Sequence, residues 1–224
     1  MVRTAGETES AVKSLIGEVR RLVEDPRVRR LVEARVAEFK EAKKGDSSAW
    51  FTELVYCLLT AYSSAERAQS CVDALSEGGA IVDGGVGEVA ETLRREGHRF
   101  SDRRAEYIVA ARGLTGKLKR TIQSFKTSKE ARAWLVENVK GMGWKEASHF
   151  LRNVGYLDVA ILDRHILSTM REHGLIEDGG RRGLTGRRYL EYEGRLRRVA
   201  MGLGMPLGEV DLYLWYRKTG KILK

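Results

Sequence analysis

Val139-Lys-Gly-Met-Gly-Trp-Lys-Glu-Ala-Ser148, continued by His149-Phe-Leu-Arg-Asn-Val-Gly155 and reaching Ile161-Leu-Asp163, reads as a helix, a glycine hairpin, a second helix and a carboxylate. Ahead of the hairpin, Ala131, Trp134, Leu135 and Val139 recur at helical spacing. Thr127 and Glu130 form a capping-box pattern at the front of that helix. Gly141 and Gly143 are expected to take positive φ and to let the backbone come close to another chain. Lys145 opens the second helix, on which Ala147, Phe150, Leu151 and Val154 repeat until Gly155 stops it. Asp163 then stands where the next helix begins, and a carboxylate there is a ready N-cap.

A glycine hairpin that runs into a helix N-terminus has the makings of a phosphate grip. Its amides are uncovered by side chains, and the helix adds the positive end of its dipole. Such a grip reads the backbone of a nucleic acid and not its sequence. An ordinary αα-hairpin accounts for the two glycines equally well, so the G-x-G spacing alone does not decide.

Composition narrows the field. With 224 residues, 42% of them apolar, the chain can bury a sizeable core and is globular. A net charge of +9 favours an anionic partner. Cys57 and Cys71 lie singly in apolar helical patterns. Two thiols cannot supply the four ligands of an iron–sulfur cluster or of an all-cysteine zinc site, so both are expected in the core. His165 and His173 have no cysteine or carboxylate at metal spacing, and no metal site is expected. The chain has no apolar run of ~18 residues and no apolar signal core at its start, so an intracellular protein without a membrane partner is expected.

The remaining chain reads as helix after helix. Residues 8–44 make two charged amphipathic helices joined at Asp25-Pro26, with Asp as cap and Pro in the first turn. Asp46 to Ala61 is a buried helix, because Trp50, Phe51, Leu54, Val55, Leu58 and Leu59 cover more than one stripe. Ser63 and Glu66 suggest a second capping box. A short helix over 86–96 ends at Gly97, and Ser101 is expected to cap the helix from Asp102 to Arg112, which places Arg99 and Phe100 on the loop before it. A basic turn, Gly113 to Arg120, leads to a further short helix. A glycine-rich basic loop runs from Glu177 to Gly186, followed by a long helix from Arg187 to about Leu203. Pro206 starts the last helix, with Leu207, Val210 and Leu214 on one face and Trp215 one residue off that stripe. The expected fold is all-α with ten to eleven helices. It forms one domain over residues 1–224, with two helical lobes around a cleft and the hairpin at about 128–154.

Lys145 just past the glycines, with Asp163 after the second helix, resembles the helix-hairpin-helix DNA glycosylase superfamily in its lysine-bearing, bifunctional form. Phe51-Thr-Glu-Leu-Val-Tyr-Cys-Leu-Leu-Thr-Ala61, Arg99-Phe100, Arg104-Ala-Glu-Tyr-Ile-Val-Ala-Ala-Arg112 and the end from Trp215 to Lys224 narrow the resemblance to the archaeal-type (type 2) 8-oxoguanine DNA glycosylase/AP lyase family. It runs roughly from Trp50 to Lys224.

The resemblance implies a base-excision-repair enzyme that extrudes 8-oxoguanine from double-stranded DNA and removes it through a lysine Schiff base. It then cleaves the strand by β-elimination, without a cofactor and as a monomer. By the same resemblance Lys145 is the nucleophile and Asp163 the catalytic carboxylate. Phe100 and Trp215 flank the extruded base, Lys224 with its terminal carboxylate enters the pocket and reads it, Arg99 fills the gap in the duplex, and Gly141 and Gly143 hold the DNA backbone. The family commonly carries an amide after the Thr60-Ala61 turn, where this chain has Tyr62. Two other readings stand beside this one. A helix-hairpin-helix binding module would need the glycines and the basic face but not both Lys145 and Asp163. A glycosylase for another damaged base would keep the machinery and change the pocket.

Overall fold

The computed structural model describes residues 5–177 and 184–224. It contains twelve α-helices: α1 Ala5–Glu24, α2 Pro26–Ala42, α3 Ser47–Thr60, α4 Ala65–Glu77, α5 Val86–Arg95, α6 Ser101–Ala111, α7 Leu118–Gln123, α8 Ser128–Asn138, α9 Trp144–Asn153, α10 Arg164–Glu172, α11 Gly186–Leu203 and α12 Leu207–Thr219. A 3-10 turn at Arg112–Leu114 joins α6 to α7, and no strand occurs among the described residues. The all-α expectation holds. The count is one above the ten to eleven helices expected. No described helix is long and apolar enough to cross a membrane. The glycine-rich loop expected over 177–186 lies mostly outside the described residues.

The chain divides into two compact units, Met1–Glu38 with Tyr156–Leu223, and Phe39–Gly155 with Lys224. In the first, α1 packs on α11 and α12, and α10 packs on α12. Leu15 and Val19 of α1, Leu196 and Val199 of α11, Val210 and Leu214 of α12, and Ile166 and Met170 of α10 form its interior. The amphipathic period of each helix dictates these faces. An ion network ties three of the helices at their surface. Arg217 bonds Glu18 and Glu172, Lys218 bonds Glu172, and His173 bonds Glu18 and, at 2.9 Å, Ser14.

The second unit is built around α3. Every residue from Trp50 to Leu59 except Thr52 and Glu53 is buried, so α3 can be enclosed on nearly all sides by α4, α6, α7 and α9. Its start is fixed by Asp46, whose carboxylate accepts the Ala49 amide at 2.8 Å. Trp50 meets Phe150 of α9 edge to face, 6.0 Å between centroids. Cys57 and Cys71 are buried free thiols, as the apolar pattern around them requires.

Two expected caps move by one residue. Ser64, not Ser63, caps α4 by accepting the Arg67 amide at 3.2 Å. The Ser63 amide is engaged instead in a turn, donating to the Thr60 carbonyl at 3.3 Å. Ser101 does not cap α6 but is its buried first residue; Phe100 occupies the cap position and its carbonyl accepts the Arg104 amide at 3.0 Å.

Candidate active site

The hairpin is assembled from local signals. Thr127 and Glu130 make the capping box of α8 in full. After Asn138 the chain turns with a Met142 amide to Val139 carbonyl bond of 3.1 Å. Gly141 has φ +87°, and a Cβ placed there would lie 2.1 Å from Cδ2 of Tyr107. The ring of Tyr107 on α6 is therefore pressed against the bare glycine backbone. Gly143 departs from expectation: at φ −93° and ψ −177° it is extended backbone open to any residue. It serves as the N-cap of α9 without a side-chain cap bond, so no side chain covers the first amides of α9 there.

Lys145 is the second residue of α9. Its side chain is 32% exposed, and Nζ lies 3.2 Å from Glu146 Oε1, itself 14% exposed. One turn further along, His149 is buried, edge-on to Tyr56 of α3 at 5.7 Å, with no partner for Nε2. Burial, with Arg152 and Lys145 adding positive charge, pushes the imidazole well below its usual pKa, so it is neutral at pH 7. Asn153 follows on the same face and donates to Glu53 Oε1 at 2.7 Å, while Arg152 holds the Asn153 carbonyl oxygen at 3.1 and 3.3 Å.

Lys224 closes this cluster. Its Nζ lies 3.1 Å from Glu53 Oε2 and 4.3 Å from the Tyr56 ring centroid. The Tyr56 hydroxyl donates to the Lys224 backbone oxygen at 3.1 Å. A carboxylate and an aromatic face thus hold the ammonium together. The sequence singles out Lys145 and Lys224 but not Glu146, Glu53, Tyr56 and His149. The latter three meet only through the packing of α3 on α9, which no local window displays.

Arg99 and Phe100 stand at the start of α6. Phe100 is 39% exposed, and the Arg99 guanidinium carbon lies 5.1 Å from its ring centroid.

In the first unit, Asp163 caps α10. Its Oδ1 accepts the amides of His165 and Ile166, both at 2.9 Å, which leaves Oδ2 without a partner among the described residues. His165 stands edge-on to Trp215, 5.0 Å between centroids, so one residue meets the carboxylate with its amide and the indole with its ring. Trp215 is half-buried, with Nε1 shielded yet unpartnered. Lys145, Phe100 and Lys224 belong to one unit, Asp163 and Trp215 to the other.

Residues 32–205 match the family model described as 8-oxoguanine DNA glycosylase, Ogg-HhH. An 8-oxoguanine DNA glycosylase/AP lyase of Korarchaeum cryptofilum is 45% identical over 95% of this chain and 99% of its own. The crystal structure of the Methanocaldococcus jannaschii 8-oxoguanine glycosylase/lyase with a 15mer DNA containing 8-oxoguanine superposes with a TM-score of 0.88, at 42% identity, over 94% of this chain and 100% of that one. The 8-oxoguanine DNA glycosylase of Thermotoga maritima gives 0.86 at 43% identity, over 95% and 100%.

Proposed function

The chain belongs to the 8-oxoguanine DNA glycosylase family of helix-hairpin-helix proteins, and we propose that it removes 8-oxoguanine from double-stranded DNA and then cleaves the strand at the abasic site. The observation that carries this reading is a lysine in the first turn of α9, two-thirds buried, with a carboxylate at 3.2 Å, directly after a tight glycine turn.

The hairpin binds phosphate. The Gly141 turn and the uncapped start of α9 offer amides and a positive dipole end to the DNA backbone. Excision at C1′ requires the nucleotide to leave the stack, at a cost of a few kcal/mol. Arg99 occupies the vacated space, and Phe100 and Trp215 flank the extruded base, offsetting that cost by stacking. Lys224, held by Glu53 and Tyr56, presents its charge to the base.

Lys145 is the nucleophile. A free lysine is protonated at neutral pH, so the ammonium must first lose a proton, and Glu146 is in place to accept it. The amine nitrogen forms a bond to C1′ as the C1′–N9 bond breaks, its electron pair leaving with the purine, which takes up a proton. The sugar has oxocarbenium character in this step, and the free Oδ2 of Asp163 stabilises that charge. Ring opening gives a protonated Schiff base, which acidifies C2′. Loss of the C2′ proton expels the 3′ phosphate and breaks the strand. No step requires a metal or redox cofactor. The enzyme acts as a monomer on cellular DNA, in the cytoplasm or nucleoid.

The test is borohydride trapping on a duplex carrying one 8-oxoguanine. The expected outcome is a covalent adduct with wild type and none with Lys145→Ala. Tight duplex binding without adduct or nicking would replace this reading by the binding module. An adduct formed only with a different lesion would replace the substrate.

A further inference from the structure

Residues 159–162, which lead into Asp163, are buried without being helix or strand. Backbone amides and carbonyls in such a place need partners, and a segment without a ladder must take them from elsewhere. Here they come from α11. Arg197 donates to the Asp158 carbonyl at 2.7 Å, and Glu193 accepts the Ala160 amide at 3.1 Å. The Tyr189 hydroxyl donates to the Ala160 carbonyl at 2.7 Å and accepts the Leu162 amide at 3.1 Å. Tyr189, Glu193 and Arg197 are four residues apart in turn, so they form one row along the helix. From α12, the Gly208 amide adds a bond to the Leu157 carbonyl at 2.8 Å.

Tyr189 and Glu193 are both buried, and the Glu193 carboxylate lies 3.6 Å from Arg197. Burying a carboxylate is costly for the fold even when it is paired. What the row achieves is a backbone held at fixed points immediately before Asp163. Asp163 continues that segment, with its own amide donating to the Ile161 carbonyl at 2.8 Å. On its other side, Oδ1 accepts the His165 and Ile166 amides at the start of α10. The residue is therefore fixed twice: α10 sets the rotation of its carboxylate, and α11 sets where its backbone stands.

We infer that Tyr189, supported by Glu193, is a positioning residue for excision, whose hydroxyl holds the backbone one residue before Asp163 so that the carboxylate meets the sugar where positive charge develops. This rests on the reading that Asp163 stabilises the oxocarbenium charge. Such stabilisation works only if the charged group is already in place when the bond breaks. A shift of about 1 Å at a reacting centre can cost about 100-fold in rate. Tyr189 itself is buried and acts through Asp163. A phenylalanine would fill the same space, so the hydroxyl is the part of this side chain that carries the role.

The test is a cycle of Tyr189→Phe, Asp163→Asn and the double variant, read by single-turnover excision from a duplex carrying one 8-oxoguanine. Tyr189→Phe should lower the rate at saturating enzyme by about 10- to 100-fold. Its Kd for the duplex should stay within about 2-fold of wild type, because the interaction lost acts in the transition state. In the Asp163→Asn background the same change should cost nothing further, because the group it positions is gone. Far-UV circular dichroism at the assay temperature should match wild type, which separates misplacement from unfolding. Glu193→Gln keeps an oxygen for the Ala160 amide and should slow excision by a smaller factor; it carries the test if Tyr189→Phe does not fold. Equal excision by wild type and Tyr189→Phe overturns the inference. So does a loss of the same size with and without Asp163, or a loss confined to Kd. A wild type that excises no 8-oxoguanine would instead refute the proposed reaction, and the positioning role with it.

Discussion

Gly141→Ala tests the hairpin most directly. The new methyl meets two costs. At φ +87° a Cβ crowds the backbone, worth about 1–2 kcal/mol. It would also lie 2.1, 2.4 and 2.7 Å from three carbons of the Tyr107 ring, and forcing such an overlap apart costs about 1–3 kcal/mol. Arg104 and Lys140 stand against the Tyr107 ring at 5.6 and 5.7 Å, so a displaced ring also gives up these contacts. The sum, about 2–5 kcal/mol, corresponds to a Tm lower by roughly 5–15 °C for a domain of this size. Denaturant unfolding of Gly141→Ala, Tyr107→Ala and the double variant separates the two costs. With the ring absent, only the backbone cost should remain, giving a coupling of about 1–3 kcal/mol between the sites. Gly143→Ala is the control. Its backbone is extended and its new Cβ faces only the terminal oxygen of the Glu146 side chain at 3.0 Å, so it should cost under about 1 kcal/mol. A Gly141→Ala variant as stable as Gly143→Ala, or additive with Tyr107→Ala, would refute the tight-turn account.

Asp163→Asn should separate capping from chemistry: asparagine caps as well as aspartate, so the Tm should shift by no more than about 2 °C, while single-turnover excision should fall about 100-fold or more. Stability should decline as the solution is acidified below about pH 6.5, because burial and neighbouring cations keep His149 and His98 unprotonated in the fold while the unfolded chain takes up protons there. A steeper loss should follow below about pH 4.5, where the unfolded carboxylates protonate. Lys218 and Arg217 hold Glu172 at about 2, and at Glu18 burial acts in the raising direction but is outweighed by Arg217 and His173. Urea midpoints measured from pH 4 to 8 give both slopes, and His149→Gln should flatten the upper one. Burial raises Cys71 to about 11 and Cys57 well above the usual thiol value, so iodoacetamide at pH 8 should label neither in the native protein and both in urea; rapid native labelling would contradict the buried assignment.

The parts of this protein legible from sequence are those governed by short spacing. Asp46, Thr127 with Glu130, and Asp163 each cap the helix that their position announces, because a cap is decided by the three residues that follow it. The same logic fails by one residue at Ser63 and Ser64, where both hydroxyls are suitable and the turn at Tyr62 consumes the Ser63 amide. It fails at Ser101 because His98 already accepts the Phe100 amide, a bond set by a buried imidazole and not by helix propensity. Gly141 and Gly143 look alike in the sequence, yet only the one facing Tyr107 is left-handed. The difference lies in a side chain more than thirty positions away.

The cluster around Lys224 shows why a site is harder to read than a fold. Glu53 on α3 looks like the solvated face of a buried helix, yet it receives Asn153 on one oxygen and Lys224 on the other. Tyr56 looks like core, yet its hydroxyl bonds Lys224 and its ring lies beneath the ammonium. Two buried surroundings thus converge on one cation, and a charge so placed is held only if each partner remains. Glu53→Gln would leave the amine with an uncharged acceptor, and Tyr56→Phe would remove one hydrogen bond to the Lys224 backbone while keeping the aromatic face. If Lys224 reads the damaged base, both changes should lower excision of 8-oxoguanine while cleavage at a preformed abasic site, which has no base to read, proceeds as before. A parallel loss of both activities would mean that the cluster serves the fold or the lysine nucleophile and not the recognition of the lesion.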